Sequence, residues 1–379
     1  MSKKLKIGIV GLRFGAEFPM IYRDHPDVEK VVICDADKTL LQQFGDKFGF
    51  ADRCDDYDTL LSSDVDAVHI VTNIHSHAAL TVKALSAGKD CASTVPMATT
   101  LDELREIMAA KAKSGRKYMM METAVYTFQY LYMREMMDAG RVGRIQFMRG
   151  THFQDMEGWP EYWLGLPPMH YGTHAIAPLL HLSGARAESV RCFGSGVMRE
   201  ELVKRYNNPF PIETAIYTLD KPNLVAEVTR SLFETAHEYV EGFTILADGL
   251  SFEMNFEREA PIVYEFERKL GDMEDGQRGR SISRVPTECP DYCARLPEAI
   301  QKYTKKHTIL DPNNPHQSIK QGGGHHGSHP HMVHEFVRSI MEDREPAINA
   351  ETAANWTAAG ICAHESALQN GAIVEIPMF

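Results

Sequence analysis

The sequence lacks the features of a membrane or secreted protein. Nowhere do about 18 apolar residues follow one another, the length that a helix needs to cross a bilayer. Residues 1–11 run from a short basic stretch directly into a predicted strand, with no apolar signal region between them. We therefore expect a cytoplasmic protein without a membrane partner.

Cysteine is scarce, and positive charge is in deficit. The seven cysteines include no Cys-x-x-Cys pair, which disfavours a disulfide framework and a zinc knuckle. Lys and Arg number 40 against 52 Asp and Glu, so that the net charge is −12. Proteins that bind the phosphate backbone of nucleic acids usually carry a net positive charge, so we expect no nucleic-acid partner.

What the chain does contain is enough apolar sequence for two domains, since 44% of its 379 residues are hydrophobic. In the first 122 residues, short apolar runs alternate with helical patterns such as Leu40, Leu41, Phe44 and Phe48. Strands are predicted at 6–10, 31–34, 67–72 and 117–121. This alternation predicts a doubly wound parallel sheet, the α/β Rossmann class.

The pattern changes after residue 122. Strand-like stretches at 145–151, 214–219, 224–232 and 243–246 follow one another with few helices between them. They predict an α+β domain with a large, mostly antiparallel open sheet. Residues 271–320 are rich in charge, Pro and Asn, and we expect a long surface excursion there. A helix at 351–368 and a strand at 373–376 complete the prediction.

A dinucleotide fingerprint follows the first strand. Such a site needs glycines in the strand-to-helix turn and an acid about 20 residues further on. Here Gly11 opens the turn, Arg13 stands at the usual second glycine, and Asp35 directly follows the second strand. A carboxylate there can accept bonds from the adenosine ribose and repel a 2′-phosphate, which predicts NAD as the cofactor. The alternative is a glycine turn beside a solvated aspartate.

Several stretches together resemble the Gfo/Idh/MocA family of NAD(P)-dependent sugar oxidoreductases. They are the Gly11 turn, Asp35, residues 64–68 leading to Thr72, residues 84–89 and the turn at 140–143. The likeness omits only about 197–210 and 256–320. It implies a cofactor site formed by Gly11, Arg13, Phe14, Asp35, Thr72, Asn73, His77, Thr94 and Pro96. Where the family carries Glu-Lys-Pro, whose lysine assists proton transfer, this chain has Thr94-Val95-Pro96.

The family's second motif is an Asp followed four residues later by a catalytic His, and here the pair is His170 and His174. This spacing puts both imidazoles on one face of a helix or its first turn, suited to a proton relay or to a metal. Imidazole, with an ordinary pKa of about 6.5, is suited to accept a hydroxyl proton near neutral pH. His174 is therefore the predicted acid/base. A structural alternative is helix histidines bonded to carbonyls.

The missing lysine and the segments around residues 122 and 171 are similar to one branch of the family, the NAD-dependent α-N-acetylgalactosaminidases. In that branch a Glu, a Tyr and a His serve the active site, and they fall on Glu122, Tyr171 and His174. These enzymes oxidise a ring hydroxyl transiently, eliminate the aglycone, add water and reduce the ketone. The resemblance thus implies that Tyr171 and Glu122 assist His174, and His170, which stands where the family has its acid, is the fourth predicted catalytic residue.

Candidate substrate residues follow the strand at 145–151. His152 and Gln154 point to the same face of that strand, and Trp163 could stack on a sugar ring. Residues 322–331 contain four of the 17 histidines, of which His326 and His329 could bind substrate hydroxyls. No metal is predicted, although a site using His170 and His174 with His152 or a loop histidine is the alternative.

The leading hypothesis is an NAD-dependent oxidoreductase acting on a secondary ring hydroxyl of a sugar or glycoside. The second is a redox-neutral glycosidase with tightly bound NAD, and the third is a non-catalytic NAD-binding sensor. We divide the chain into an NAD-binding domain (1–122), a substrate-binding and oligomerisation domain (123–345) and a C-terminal helix and strand that pack back on the core (346–379). The resemblance implies a homodimer or homotetramer formed through the open sheet.

Overall fold

The computed structural model describes residues 3–159, 166–255, 259–268, 272, 276, 278–305, 307–309, 319–321 and 324–379. Packing groups the chain into two units. Unit 1 consists of Met1–Thr127, Asp291–Ala358 and Phe379, and unit 2 of Phe128–Pro290 and Ala359–Met378. The division at residues 122 and 345 stays a prediction about independently folding domains. No helix among the described residues is long and apolar enough to cross a membrane.

Unit 1 is built on a six-stranded parallel sheet in the order β3-β2-β1-β4-β5-β6. Its strands are β1 (Leu5–Val10), β2 (Val28–Cys34), β3 (Arg53–Cys54), β4 (Ala67–Ile70), β5 (Asp90–Thr94) and β6 (Tyr118–Met121). The predicted Rossmann sheet is confirmed. The strand order reverses beside β1, and in such sheets the ligand binds at the carboxyl ends of the strands at this point.

The helices of unit 1 have clear local signals. Asp37 caps α2 by accepting bonds from the amides of Thr39 and Leu40, and Thr100 and Glu103 form a capping box on α5. The helices are α1 (Pro19–Asp24), α2 (Lys38–Phe48), α3 (Tyr57–Ser62), α4 (His77–Ser86), α5 (Leu101–Ser114), α9 (Glu298–Gln301), α10 (Ser328–Met341) and the first half of α11 (Ala350–Leu368). A two-stranded sheet of β15 (His307–Ile309) and β16 (Ile319–Gln321) is also present.

The expectation of a surface excursion at 271–320 is wrong for its described central part. Leu296, Ile300 and Tyr303 are buried in the same apolar cluster as Phe18 and Ile7 of the Rossmann sheet region. Their spacing of four and three residues is that of a helical face, which the charged composition around them obscured. Val333 and Phe336 on α10 belong to the same core.

Unit 2 is built on a nine-stranded sheet in the order β14-β13-β12-β11-β7-β10-β9-β8-β17. All neighbours run antiparallel except β7 and β10, which are parallel. The predicted mostly antiparallel sheet is confirmed. The strands are β7 (Ile145–Phe153), β8 (Ala187–Ser195), β9 (Ile212–Leu219), β10 (Val225–Ser231), β11 (Val240–Ala247), β12 (Leu250–Met254), β13 (Ile262–Phe266), β14 (Ile282–Pro286) and β17 (Val374–Glu375).

Helix α7 packs on one face of this sheet, where it contacts β7, β10 and β11. Outward positions of β8, β9 and β11 carry exposed apolar side chains, among them Phe193, Ile216 and Leu246, which are 56%, 41% and 43% exposed. The described helices of unit 2 are α6 (Phe128–Asp138), α7 (Thr173–Ser183), α8 (Glu200–Tyr206) and the second half of α11. The sheet therefore has one covered face and one open face that carries exposed apolar side chains among polar ones.

Short 3₁₀ turns connect several of these elements and carry many of the predicted site residues. They span Phe14–Glu17, Ile74–Ser76, Thr123–Val125, Pro168–Tyr171, Cys293–Arg295, Lys302–Thr304 and Gly324–Gly327.

Candidate functional site

The glycine turn of unit 1 has the geometry of a dinucleotide cradle. Gly11 adopts φ +95°, and a Cβ at this position would lie 2.5 Å from the carbonyl oxygen of Val71, so that only glycine fits. The amide of Leu12 donates to Asp35 Oδ2 at 2.8 Å, and a helical turn begins at Phe14. Asp35 also accepts from the amide of Asp37 at 2.9 Å. A close backbone turn beside a half-buried carboxylate fits the pyrophosphate and ribose of NAD.

Arg13 lies beside this turn without blocking it. Its guanidinium is exposed and lies 3.7 Å from Asp37 Oδ2. The described surroundings of the predicted ribose site therefore include two carboxylates, Asp35 and Asp37, and one cation. This balance favours ribose hydroxyls over a 2′-phosphate.

Thr72, His77, Thr94 and Pro96 come together at the carboxyl ends of β4 and β5. The His77 ring is fully buried, with Nδ1 2.9 Å from the Pro96 carbonyl oxygen and Nε2 3.3 Å from both the Thr94 hydroxyl and the Thr72 carbonyl oxygen. Burial lowers the pKa of His77, so that the neutral ring donates through Nδ1 and can accept from Thr94 at Nε2. His77 thus ties two strand ends together, while Asn73 beside them is exposed.

The histidine-rich segment reaches the same turn. His329 Nδ1 lies 2.9 Å from Glu17 Oε2, and its ring lies 4.8 Å from that of Phe18. Burial opposes the charge of Glu17, but the hydrogen bond and charge of His329 hold its pKa below the usual value. His325 contacts Phe14 edge to face, and His326 is half-buried. The described partners of His329 therefore belong to the glycine turn, and its contact with substrate stays a prediction.

In unit 2, strand register aligns four buried polar side chains, which we call the polar row: Glu213, Arg230, His152 and Glu241. Arg230 is paired with Glu213 on one side and with His152 on the other, and His152 is paired with Glu241. All four are buried, and the side chains of paired residues share one face of a sheet. The row therefore spans β9, β10, β7 and β11.

Arg230 organises this row. Its guanidinium donates to the carbonyl oxygens of His152 at 3.1 Å and Tyr171 at 3.2 Å, and to Gln154 Oε1 at 2.9 Å. Burial lowers its pKa to about 10, which still leaves it charged at neutral pH. Arg230, Glu213 and Glu241 are not among the site residues predicted from the sequence. The alternation of buried Ala226 and Val228 along β10 was a usable signal, because it directs residue 230 inward.

The turn Pro168–Tyr171 and the start of α7 carry the predicted catalytic residues. His174 Nε2 lies 3.3 Å from the Tyr171 hydroxyl and 3.7 Å from Glu241 Oε1, and its ring centre is 5.2 Å from that of His152. The structure therefore brings His152, Tyr171 and His174 together. Such a buried imidazole with a phenol partner can exchange a proton with a bound hydroxyl group.

His170 lies in a different setting. Its ring stands perpendicular to that of His364 at 5.3 Å, and His364 Nδ1 is 2.6 Å from Glu213 Oε1. Glu213 Oε2 also accepts from the amide of Met169 at 2.9 Å. Among the described residues, no group of three or more His, Cys, Asp or Glu side chains is arranged to hold a metal ion.

Two further predicted residues have defined surroundings, and one does not. Glu122, in unit 1, is fully buried, and its Oε1 accepts from the amide of Ala124 at 3.0 Å. Gln154 is buried against Arg230. Trp163 lies outside the described residues.

A close approach of backbones sets the position of α7. A Cβ at Gly150, in β7, would lie 2.1 Å from the carbonyl oxygen of Ala175. Ala175 follows His174 in the first turn of α7. Glycine at position 150 therefore lets the helix that carries His174 cross directly over β7, two residues from His152.

Comparison with known proteins agrees with this description. Residues 5–122 match the Gfo/Idh/MocA oxidoreductase family at its NAD-binding Rossmann fold. A glycosyl hydrolase family 109 protein of Bacteroides thetaiotaomicron is 32% identical over 124 residues, 30% of this chain and 27% of the relative. An inositol 2-dehydrogenase of Salmonella agona is 28% identical over 169 residues, 42% of this chain and 48% of the relative. The matched segments thus span about a quarter to a half of these relatives.

The fold is shared over the whole chain. Levoglucosan dehydrogenase in complex with NADH and levoglucosan superimposes with a TM-score of 0.76 at 20% identity, covering 99% of this chain and 100% of that one. The match over residues 5–122 confirms the predicted resemblance to the Gfo/Idh/MocA family, and the structural likeness extends the shared fold over the rest of the chain.

Proposed function

We propose that this protein is an NAD-dependent oxidoreductase that oxidises a secondary ring hydroxyl of a sugar or glycoside, with His174 as the acid/base. The observation that carries the proposal is the buried contact of 3.3 Å between His174 Nε2 and the Tyr171 hydroxyl. Oxidation of a secondary alcohol releases a hydride and a proton, and NAD supplies the hydride acceptor when it is bound. The chain must supply the proton acceptor.

The residues around His174 suit this role. In the neutral His174 ring, Nε2 can accept the substrate proton either directly or by way of the Tyr171 hydroxyl. The His152 ring lies next to the rings of both Tyr171 and His174. Arg230 holds Tyr171 and Gln154 in place, because its guanidinium donates hydrogen bonds to the Tyr171 carbonyl oxygen and to Gln154 Oε1. For the substrate class, the named relatives offer a guide, because inositol and levoglucosan are both polyhydroxylated rings. Asp35 and the Gly11 turn support NAD over NADP.

The test replaces His174 with Ala and measures NADH formation at saturating NAD over a panel that includes inositol and levoglucosan. General acid/base groups contribute about 10² to 10⁴-fold, so turnover should fall by that factor while NAD affinity is retained. His170→Ala is measured beside it, because His170 is the alternative base. Turnover of His174→Ala within about threefold of wild type would exclude His174 as the base. His170 would then be the leading candidate.

A redox-neutral glycosidase is the second candidate function, favoured by the match to the family 109 glycosyl hydrolase and by the presence of Glu122, Tyr171 and His174. The two functions differ in net products. With a panel of aryl glycosides, aglycone release without net absorbance at 340 nm supports the glycosidase, and net NADH without aglycone supports the dehydrogenase.

We further propose that the protein forms a homodimer or homotetramer through the open face of the unit 2 sheet. The exposed Phe193, Ile216 and Leu246 lie on this face, and an apolar face of this kind is typical of an interface. We also propose a cytoplasmic location, which is supported by seven scattered cysteines without a Cys-x-x-Cys pair, a pattern that disfavours the disulfide framework of a secreted protein.

A further inference from the structure

We propose that Glu241 is a positioning residue that supplies the carboxylate partner of His174. The proposal rests on the proposed role of His174 as acid/base. It concerns a side chain on β11, far in sequence from the His170 and His174 pair.

Geometry places Glu241 at the reacting nitrogen. Glu241 Oε1 lies 3.7 Å from His174 Nε2, and both side chains are almost fully buried, at 4% and 2% exposed. The phenol of Tyr239, two residues earlier in the chain, donates to the same Oε1. Glu241 is therefore held in place by its own strand neighbour and directed at the imidazole.

The turn that precedes α7 supplies no carboxylate at position 170. His170 occupies that position, and its ring contacts that of His364. Across the sheet, however, the register that pairs Glu241 with His152 brings an acid to the face that α7 covers. The sheet thus provides an acidic partner that the local sequence around His174 does not contain.

Charge balance indicates what the carboxylate does. With neutral histidines, Glu213, Arg230 and Glu241 leave the polar row with one net negative charge. When the carbinol carbon of the substrate loses its hydride to the bound cofactor, the proton of its hydroxyl passes to His174 Nε2, and the resulting imidazolium neutralises the row. Glu241 stays ionised and stabilises this cation, as a carboxylate does beside the histidine of other acid/base systems. In the reverse reaction the same proton returns to the carbonyl oxygen.

Among the described residues of unit 2, the groups that face His174 include Tyr171, His152 and Glu241, with Tyr239 and Arg230 behind them. Of these, Glu241 is the negative charge. A carboxylate within about 4 to 6 Å favours the protonated imidazole by about 1 to 3 pH units. Removing this charge should therefore change how readily His174 takes up a proton, which a purely structural role would not do.

The experiment uses the full-length protein, labelled with ¹⁵N in histidine, and follows the His174 ring by NMR during a pH titration. His174→Ala identifies the signal. Glu241→Gln keeps the volume and removes the charge, and it should lower the titration midpoint of His174 by about 1 pH unit or more. Glu241→Asp should lie between Gln and wild type. Glu227→Gln is the control, because Glu227 pairs with Arg149 on the open face of the same sheet.

Kinetics of the same variants complete the test. At alkaline pH, where turnover reaches its plateau, the turnover of Glu241→Gln should be about tenfold lower than that of the wild type. The KM for NAD should stay within twofold of the wild-type value. A midpoint of His174 in Glu241→Gln within about 0.3 unit of wild type would overturn the proposal. If Glu241→Gln does not fold, Glu241→Asp decides, since the shorter side chain moves the carboxylate away from His174 and should shift the midpoint in the same direction. A shifted midpoint together with undiminished turnover of His174→Ala would instead refute the proposed function.

Discussion

Gly150→Ala tests whether the close crossing of α7 over β7 determines the position of His174. The new Cβ would lie 2.1 Å from the Ala175 carbonyl oxygen, and real Cβ atoms almost never come within 3.0 Å of another heavy atom. The two backbones must therefore separate by about 0.9 Å, the difference between these values. Overpacking of this kind costs about 1 to 3 kcal/mol.

Gly45→Ala is a matched control, because its Cβ would also lie 2.1 Å from a neighbour, the Nε of Arg53. That neighbour belongs to a flexible side chain that can move, and alanine gains about 1 kcal/mol over glycine within a helix. We expect Gly45→Ala to stay within about 1 kcal/mol of the wild-type stability. The same initial overlap is therefore relieved where the neighbour is a side chain that can move, and it destabilises the protein where the neighbour is backbone that cannot.

Hydrogen–deuterium exchange measured by mass spectrometry separates the two outcomes locally. Peptides covering α7 should exchange faster in Gly150→Ala, and peptides covering α2 should be unchanged in Gly45→Ala. A displacement near 1 Å at a catalytic group reduces turnover by about 10², so NADH formation should fall in Gly150→Ala alone. Wild-type exchange in α7 together with wild-type turnover would refute the role that we give to Gly150.

Three further outcomes are expected. Asp35→Asn should weaken NAD binding by about tenfold or more, because a charge-assisted hydrogen bond contributes about 1.5 to 3 kcal/mol, and should narrow the preference over NADP in calorimetry; wild-type protein that binds NADP as tightly as NAD would contradict this. Burial and the neighbouring His334 lower the pKa of His25 to about 4 from 6.5, so the unfolded chain binds more protons between these values. The free energy of unfolding should thus fall by about 2 kcal/mol between pH 7 and pH 5 through His25, and denaturant titrations of His25→Gln should lack this part of the slope. Light scattering at micromolar concentration should give a dimer or tetramer, and Ile216→Lys on the open face should reduce its mass; a wild-type monomer would exclude the proposed interface.

The sequence predicted those parts of the fold that have local signals. Strands β1, β2, β4 and β6 are runs of apolar residues that are buried on both faces of a parallel sheet, so their composition identifies them. Strand β5 is different, since Asp90, Ser93 and Thr94 interrupt its apolar character. Asp90 is nevertheless buried, and it accepts a bond from the amide of Lys117 at the start of β6.

The candidate site likewise contains residues that local sequence brings together and residues that only strand pairing brings together. Tyr171 and His174 are three residues apart, and one turn of chain brings them into contact. Arg230 and Glu241 meet them only through strand register, since Arg230 is 78 residues from His152. The alternation within one strand determines which face a side chain takes, but it does not determine which distant strand becomes the neighbour.

The core of unit 1 joins residues that are synthesised early to residues that are synthesised late, and this affects how the nascent chain folds. Phe18 and the first sheet are made early, but Leu296, Ile300, Val333 and Phe336, which belong to the same core, are made after the whole of 128–290. Synthesis proceeds at about 5 to 20 residues per second. The apolar surface of residues 1–127 therefore stays uncovered for about 10 to 40 s until these partners are synthesised. Residues 128–290 of unit 2 are synthesised during that interval, whereas unit 1 still exposes the side chains that α10 will cover. We therefore expect the nascent chain to depend on chaperones at its N-terminal rather than its central part.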